Sequence, residues 1–420
     1  MTIVIFGGGR GFEDVTNGGV VLLAERPFHQ PAEEKSAEGL RLALFSGNYN
    51  YTRDGSNQAL NRLSAYLISH GAEVRVYSPT TDTPAFEPAG ELVSAPSIAI
   101  PGRGEYRLAL GLNRALRADL ADFRPTAVHL SAPDLLGNQA GKWGRKMGLP
   151  VVASLHTRFE TYLSYYGLDW LRPTAERYLD RFYRGCDRVL APNAPIAELL
   201  REQGLGERVR VWGRGVDRDR FSPARRDLDW RRSMGVDDNE IVVAFLGRLV
   251  MEKGLDVLCE TLVRLRGQPI RPLIIGEGPA RAFVEERLPE AILTGHLDGA
   301  ALGRAVSSAD ILFNPSLTEA FGNASLEGMA AGLAVVCPRA PSTSALIADG
   351  QDGVLAASAD AQTYAAAIQS LISEPLRRVR LGRAARRTSA RYDWNAICGE
   401  VLDVYRELGV TADRRARSAA

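Results

Sequence analysis

Long apolar runs are missing from this 420-residue chain; no stretch approaches the roughly 20 consecutive apolar residues that span a bilayer. The expectation is a protein that does not cross a membrane. Cysteine is scarce and scattered. Cys186, Cys259, Cys337 and Cys398 show no C-x-x-C spacing, which argues against a zinc site or disulfide framework and for reduced core thiols in a cytosolic protein. Lysine is confined to Lys35, Lys142, Lys146 and Lys253, the other basic residues being arginine. The formal net charge is only +1, so nothing marks the whole chain as a nucleic-acid binder. A secretory signal is lacking too, because "MTIVIFGGGRG" has no basic n-region and too short an apolar core. The chain is expected to stay on the cytoplasmic side.

What is present is enough apolar material for two cores, 45% of residues, over a length that suits two domains. The N-terminus carries a decoy. "TIVIF" followed by Gly7, Gly8, Gly9 and Gly11 imitates a dinucleotide-binding turn, but Phe12 breaks the G-x-G-x-x-G spacing and no clear helix opening follows. Residues 1–40 therefore read as an N-terminal extension.

From residue 41 the pattern alternates. "RLALF", "EVRVYSP", "TAVHLS", "PVVASLH", "DRVLAP" and "RVRVWG" read as strands separated by helical segments, including a long one from about 160 to 184. After the charged connector "RGVDRDRFSPARRD" a second series begins with "IVVAFLG", "RPLIIG", "AILTG", "ADILFNPS" and "AVVCP". Strands alternating with helices imply parallel sheets with covered faces. The expected fold class is α/β, with two Rossmann-like, doubly wound domains facing a central cleft. The expected boundaries are 41–215 for the first domain, 216–390 for the second, 391–410 for a terminal helix and 411–420 for a solvated tail.

Chemistry is expected at strand C-terminal ends, where the loops of both domains line the cleft. "FLGRLVMEKG" places Arg248 and Lys253 around a turn at the end of a strand, a fitting site for an anion of high charge density. "IIGEGPA" adds Gly276, Glu277 and Gly278, with Pro279 as the expected first helical residue, and "LTGHL" adds Gly295. "LTEAFGNASLEGMAAG" then sets Glu319 in a loop and Glu327 in a short helix. Asn323 is its expected N-cap, Leu326, Met329 and Ala330 face inward, and Gly332 ends it.

These pieces, with "RGVDRDRFSP" and "HTRFETY", resemble the retaining nucleotide-sugar glycosyltransferases of the GT-B fold, specifically glycosyltransferase family 4, from about residue 41 to 405. By that resemblance Glu327 accepts hydrogen bonds from the ribose hydroxyls of a nucleotide, and Glu319 binds hydroxyls of the transferred sugar. Phe321, Gly322 and Asn323 line the donor pocket. Arg248 and Lys253 hold the diphosphate, and His156 contacts the donor sugar. The implied activity is a hexosyltransferase needing no metal and no cofactor beyond its nucleotide-sugar co-substrate. Asp217 and Asp219 form a D-x-D, but beside Arg218 and Arg220 they read as a salt-bridged or helix-capping pair. Asp54, Gly55 and Ser56 stand where many relatives carry paired glycines near the phosphates or acceptor, which leaves acceptor handling open.

"VYSPTTDTPAFEPAGELVSAPSIAIPGRGEYRLALG" resembles the branch containing sulfoquinovosyl- and mannosyl-transferases that act on lipids. Two aromatic and basic clusters fit an anionic membrane surface: Tyr162, Tyr165, Tyr166 and Trp170 with Arg172, Arg177, Arg181 and Arg184, and Lys142, Trp143, Arg145 and Lys146. A half-buried helix with a solvated face is an equal reading of the same residues. The expectation is transfer of a hexose or uronic acid from a UDP- or GDP-sugar to a membrane lipid acceptor by a peripheral enzyme. A soluble acceptor is the alternative, and a two-lobed sugar-binding protein is the non-enzymatic one.

Overall fold

A computed structural model describes residues 35–51, 55–100, 103–156 and 169–411. Residues 1–34, Asp54, Tyr162, Tyr165, Tyr166 and the "TRFETY" segment lie outside those described. Among the described residues nine strands fall before residue 212: β1 (Arg41–Phe45), β2 (Glu73–Ser78), β3 (Glu91–Ser94), β4 (Ser97–Ile100), β5 (Arg103–Ala109), β6 (Ala127–Leu130), β7 (Val151–Ser154), β8 (Arg188–Ala191) and β9 (Val209–Val211). Seven of them form a sheet in the order β3-β2-β1-β6-β7-β8-β9, while β4 and β5 pair as a separate antiparallel ribbon.

The second sheet runs β12-β11-β10-β13-β14-β15, from β10 (Ile241–Leu246), β11 (Ile270–Ile275), β12 (Ile292–Gly295), β13 (Ile311–Phe313), β14 (Ala334–Pro338) and β15 (Val354–Ala356). Every pair within the two large sheets is parallel. The strands therefore read as continuous apolar runs, Val242 to Phe245 being buried throughout, because helices cover both faces. In each sheet the strand order reverses once, between β1 and β6 and between β10 and β13. A crevice opens at such a reversal because neighbouring crossovers leave to opposite faces.

The chain crosses from the first lobe to the second through residues 212–240 and then comes back. Helix Trp394–Glu407 places Ile397, Val401, Leu402 and Tyr405 in one apolar cluster with Leu42, Leu44, Leu63 and Val76 of the first lobe. All four cysteines are buried and free.

Some local expectations are corrected. Asn323 does not cap its helix: Gly322 does, with φ 99°, and Asn323 is the first helical residue of Asn323–Ala330. A left-handed cap at the tight exit from the preceding loop demands glycine there. Pro279 does not open the next helix, which starts at Arg281 after a cap at Ala280. The helix Ala194–Leu200 continues as a wider turn in which Gly204 has φ 90°.

Candidate active site

The loops after β10 and β13 flank the reversal in the second sheet, and they bring two of the singled-out residues together. After β10 the chain passes the half-buried Arg248 and tightens into the turn Met251–Lys253, which Gly254 closes at φ 72°. Thr318 Oγ1 donates to the Glu252 carbonyl at 3.1 Å, tying the two loops together. Lys253 Nζ then reaches Glu319 Oε1 at 2.7 Å, with 25% and 17% of the two side chains exposed.

The neighbouring glycine turn supports that loop from below. Gly247 N–H donates to the Ile275 carbonyl and Leu249 N–H to the Glu277 carbonyl, both at 3.0 Å. A Cβ on Gly276 would strike the Gly247 carbonyl oxygen, and one on Gly278 the Leu249 carbonyl oxygen. These glycines are thus required by backbone-to-backbone packing between adjacent turns. Gly276 N–H also donates to the Gly295 carbonyl at 3.0 Å, so the third turn joins the same stack. Glu277 is exposed and paired with Arg281 at 2.8 Å.

Beyond Glu319 the chain enters its short helix. Glu327, half-buried one turn in, has its carboxyl pushed up to about 7 by burial, with the Arg220 charge pulling it back down. Phe321 is buried and packs edge-on to Tyr392 at 6.0 Å. Asn314, Leu326 and Met329 are buried beneath, and Asn314 Nδ2 donates to Ser325 Oγ at 3.2 Å.

The first lobe meets this turn from two directions. Gly55 begins helix Gly55–Ser69, and Asn323 lies so close that a Cβ on Gly55 would strike Asn323 Nδ2. Asn193, after β8, donates from Nδ2 to the Ala320 carbonyl at 2.7 Å while its Oδ1 caps its own helix at Ile196 N–H. Ser56 stands in the first turn of the Gly55 helix.

His156 sits at the end of β7 with both ring nitrogens engaged: Nδ1 accepts from Arg214 Nη2 at 2.7 Å, and Nε2 lies 2.7 Å from Ser154 Oγ. Its pKa falls well below the ordinary value, first through burial and then through the charge of Arg214. Asp217 Oδ1 accepts the Arg220 backbone N–H at 2.9 Å, and its carboxylate lies 3.6 Å from the Arg220 guanidinium, the arrangement of a turn cap. Among the described residues no group of three or more His, Cys, Asp and Glu side chains is gathered as for a metal ion.

Two family models match these lobes, "Glycosyltransferase Family 4" over residues 53–220 and "Glycosyl transferases group 1" over residues 240–374. The GDP-mannose-dependent alpha-mannosyltransferase of Mycolicibacterium smegmatis is 32% identical, aligned over 87% of this chain and 97% of its own. The chain belongs to glycosyltransferase family 4. The sulfoquinovosyl transferase SQD2 of Arabidopsis thaliana is 28% identical over 88% of this chain and 74% of its own length. Sucrose-phosphate synthase from Thermosynechococcus elongatus shares the GT-B fold with a TM-score of 0.73 at 20% identity, covering 88% of this chain and 99% of that one. This family 4 enzyme is therefore a glycosyltransferase that uses nucleotide sugars, built on the two-lobed fold that the strand alternation implied.

Two residues placed at this family 4 site, Asn193 and Ser154, escaped the sequence reading, and so did the effect of Arg220 on Glu327. Asn193 carried a readable signal, an Asn before "AP" at a helix start, but that spacing speaks only of the cap and not of its bond across the lobes. Arg220 and Ser154 carried none, because what each faces lies far along the chain or two residues away on a strand.

Proposed function

We propose that this enzyme transfers a hexose, with mannose from GDP-mannose as the first candidate, to a lipid acceptor with retention of anomeric configuration. The observation that carries the reading is the Lys253–Glu319 pair, half-buried at the strand-order reversal, with Glu319 eight residues before Glu327. In the assigned roles, Lys253 and Arg248 take the diphosphate, Glu319 takes sugar hydroxyls and Glu327 takes the ribose. Gly276, Gly278, Gly295, Phe321, Gly322 and Asn323 form the pocket walls. Cleavage of a sugar–phosphate bond builds negative charge on the departing diphosphate and positive charge at the anomeric carbon. Fixed cations on one side and a carboxylate on the other lower that barrier with no proton transfer to the leaving group.

The lipid acceptor is supported by surface and cavity. A cavity of about 570 Å³ opens in the first lobe between helices Arg172–Arg184 and Ala194–Leu200, lined by Leu155, Leu179, Ile196 and Leu200 with Arg177 and Glu176. Trp170 is 74% exposed, and Met147 at 58% ends a helix with the exposed Lys142 and Lys146. Such groups suit a peripheral enzyme at an anionic bilayer. Part of the other stripe is neutralised locally, Arg172 by Glu176 and Arg184 by Asp180. No helix among the described residues is long and apolar enough to cross a membrane.

The test is radiolabelled GDP-mannose and UDP-glucose supplied with vesicles of a bacterial membrane-lipid extract. Label from one donor should enter the organic phase in an α linkage. Label confined to aqueous product would replace the lipid by a soluble acceptor, a β linkage would overturn retention, and no turnover of either donor would count against both donor assignments.

A further inference from the structure

A line of buried polar groups runs behind the cleft, and of its members only His156 has a role implied by the resemblance, contact with the donor sugar. Arg214 Nη2 donates to His156 Nδ1 at 2.7 Å, His156 Nε2 meets Ser154 Oγ at 2.7 Å, Ser154 Oγ meets His129 Nε2 at 2.9 Å, and His129 Nδ1 meets the Tyr405 hydroxyl at 2.6 Å. Arg214 is 4% exposed, Ser154 2%, and His129 and Tyr405 not at all. Trp212, also buried, packs edge-on to both imidazoles at 5.5 and 6.1 Å, and the Arg214 guanidinium lies 4.9 Å over its ring.

The chemistry of these groups fixes one tautomer. A guanidinium has donors only, so His156 Nδ1 must be an acceptor. A neutral imidazole then carries its proton on Nε2 and gives it to Ser154 Oγ. Beyond Ser154 the hydroxyl or His129 Nε2 donates, and in either arrangement His129 holds Ser154 from behind while Tyr405 holds His129. Burial keeps His129 neutral as well, its pKa brought down to about 3.

The two ends of the line sit on the segments that join the lobes. Arg214 lies on the outbound linker, where Val216 N–H donates to the Tyr392 carbonyl at 2.9 Å, and Tyr405 lies on the returning helix Trp394–Glu407. The three middle residues belong to the ends of β6 and β7 in the first lobe.

We propose that Arg214 and Ser154 are positioning residues that lock His156 as its Nε2–H tautomer, with His129 and Tyr405 bracing Ser154. His156 then contributes neither acid nor base, and the positive charge at this point of the cleft is that of Arg214. A lone structural histidine would satisfy its nitrogens equally well but would make no demand on which residue supplies the charge.

The test on the full chain is nitrogen-15 NMR of the histidine side chains, with His156 assigned by loss of its signals in His156→Asn. The wild type should show only the Nε2–H form between about pH 6 and 8, across the range where an ordinary histidine titrates. Arg214→Lys should keep that form and Arg214→Met should give a mixture of tautomers. Should Arg214→Met fail to fold, Arg214→Gln replaces the donor-only guanidinium by an amide that can accept as well as donate and should give the same mixture. An Nδ1–H or charged His156 in the wild type, or an unaltered tautomer in the folded Met or Gln variant, would overturn the proposal.

A kinetic arm rests on the donor-site reading above. Arg214→Met should lower kcat for GDP-mannose turnover at least about tenfold while GDP affinity stays within about twofold, with Arg214→Lys partly restored. Unchanged kcat in a wild type that turns over donor would also overturn it. Failure of the wild type to turn over any nucleotide sugar would fault the donor reading alone, and the tautomer arm would still decide.

Discussion

Lys253 donates to Glu319 at 2.7 Å across two loops that leave adjacent strands in opposite directions. The pair belongs to neither loop alone, and its partial burial strengthens it beyond an ordinary surface ion pair. A donor's diphosphate and sugar would divide the two residues between them.

Removing each side of that pair should therefore have different consequences. Lys253→Ala is expected to weaken GDP binding by about tenfold, or ~1.4 kcal/mol. Glu319→Gln is expected to leave GDP affinity within about threefold while slowing transfer at least about tenfold, because the carboxylate serves the sugar and not the nucleotide. Titration of GDP and initial rates with the sugar nucleotide measure the two effects. Equal loss of GDP affinity in both variants would contradict the division of roles.

Nucleotide binding should depend on pH through Glu327. Its carboxyl, raised to about 7 by burial, must be ionised to accept two ribose hydroxyls. Affinity for GDP should therefore rise as pH increases towards and through 7 and level off above it. Stability runs the opposite way. The folded chain binds this proton more tightly than the unfolded one, so the contribution is present at low pH and is lost as pH rises through about 7. Titrating GDP into wild type and Glu327→Gln across this range isolates the group, since ionisation of the nucleotide is common to both. Parallel pH curves for the two proteins would show that Glu327 does not titrate there.

Gly276→Ala tests the stack of strand-end turns. The new Cβ would strike the Gly247 carbonyl oxygen, a backbone atom that cannot swing away, and the residue's φ of 146° already disfavours a side chain. A loss of several kcal/mol of stability, at least about 3, is expected, read as a lowered midpoint in urea. A variant as stable as the wild type would mean that the turn yields easily.

Truncation after Arg391 tests the returning helix. Ile397, Val401, Leu402 and Tyr405 are buried against the first lobe, and each is worth roughly 1.5–3 kcal/mol of burial. Their sum is comparable with the whole stability of an ordinary domain, about 5–15 kcal/mol. The shortened chain is expected to lose activity together with the cooperative melting of its first lobe. An active, well-folded truncation would refute this.

Much of the architecture was legible because parallel strands covered on both faces leave apolar runs bounded by turns, and β1, β6, β7, β8, β10, β11, β13 and β14 all do so. The ribbon β4–β5 was not read as strands: its runs are short, interrupted by "PGRG", and expose Ile98 and Leu108. The spacing of Glu319 and Glu327 was visible as local sequence, and so were Arg248 and Lys253. Which loops would meet was not, since the bonds of Asn193 to Ala320, Arg214 to His156 and His129 to Tyr405 join residues 127, 58 and 276 positions apart. Asn323 looked like a cap because its side chain suits one, yet backbone geometry gave that place to Gly322.

The most direct test of the donor site is calorimetric titration of GDP and UDP into the wild-type enzyme and into Glu327→Ala. One nucleotide, with GDP expected, should bind the wild type, and the substitution should remove most of that affinity. Binding of neither nucleotide, or equal binding by wild type and variant, would contradict the assignment of the cleft.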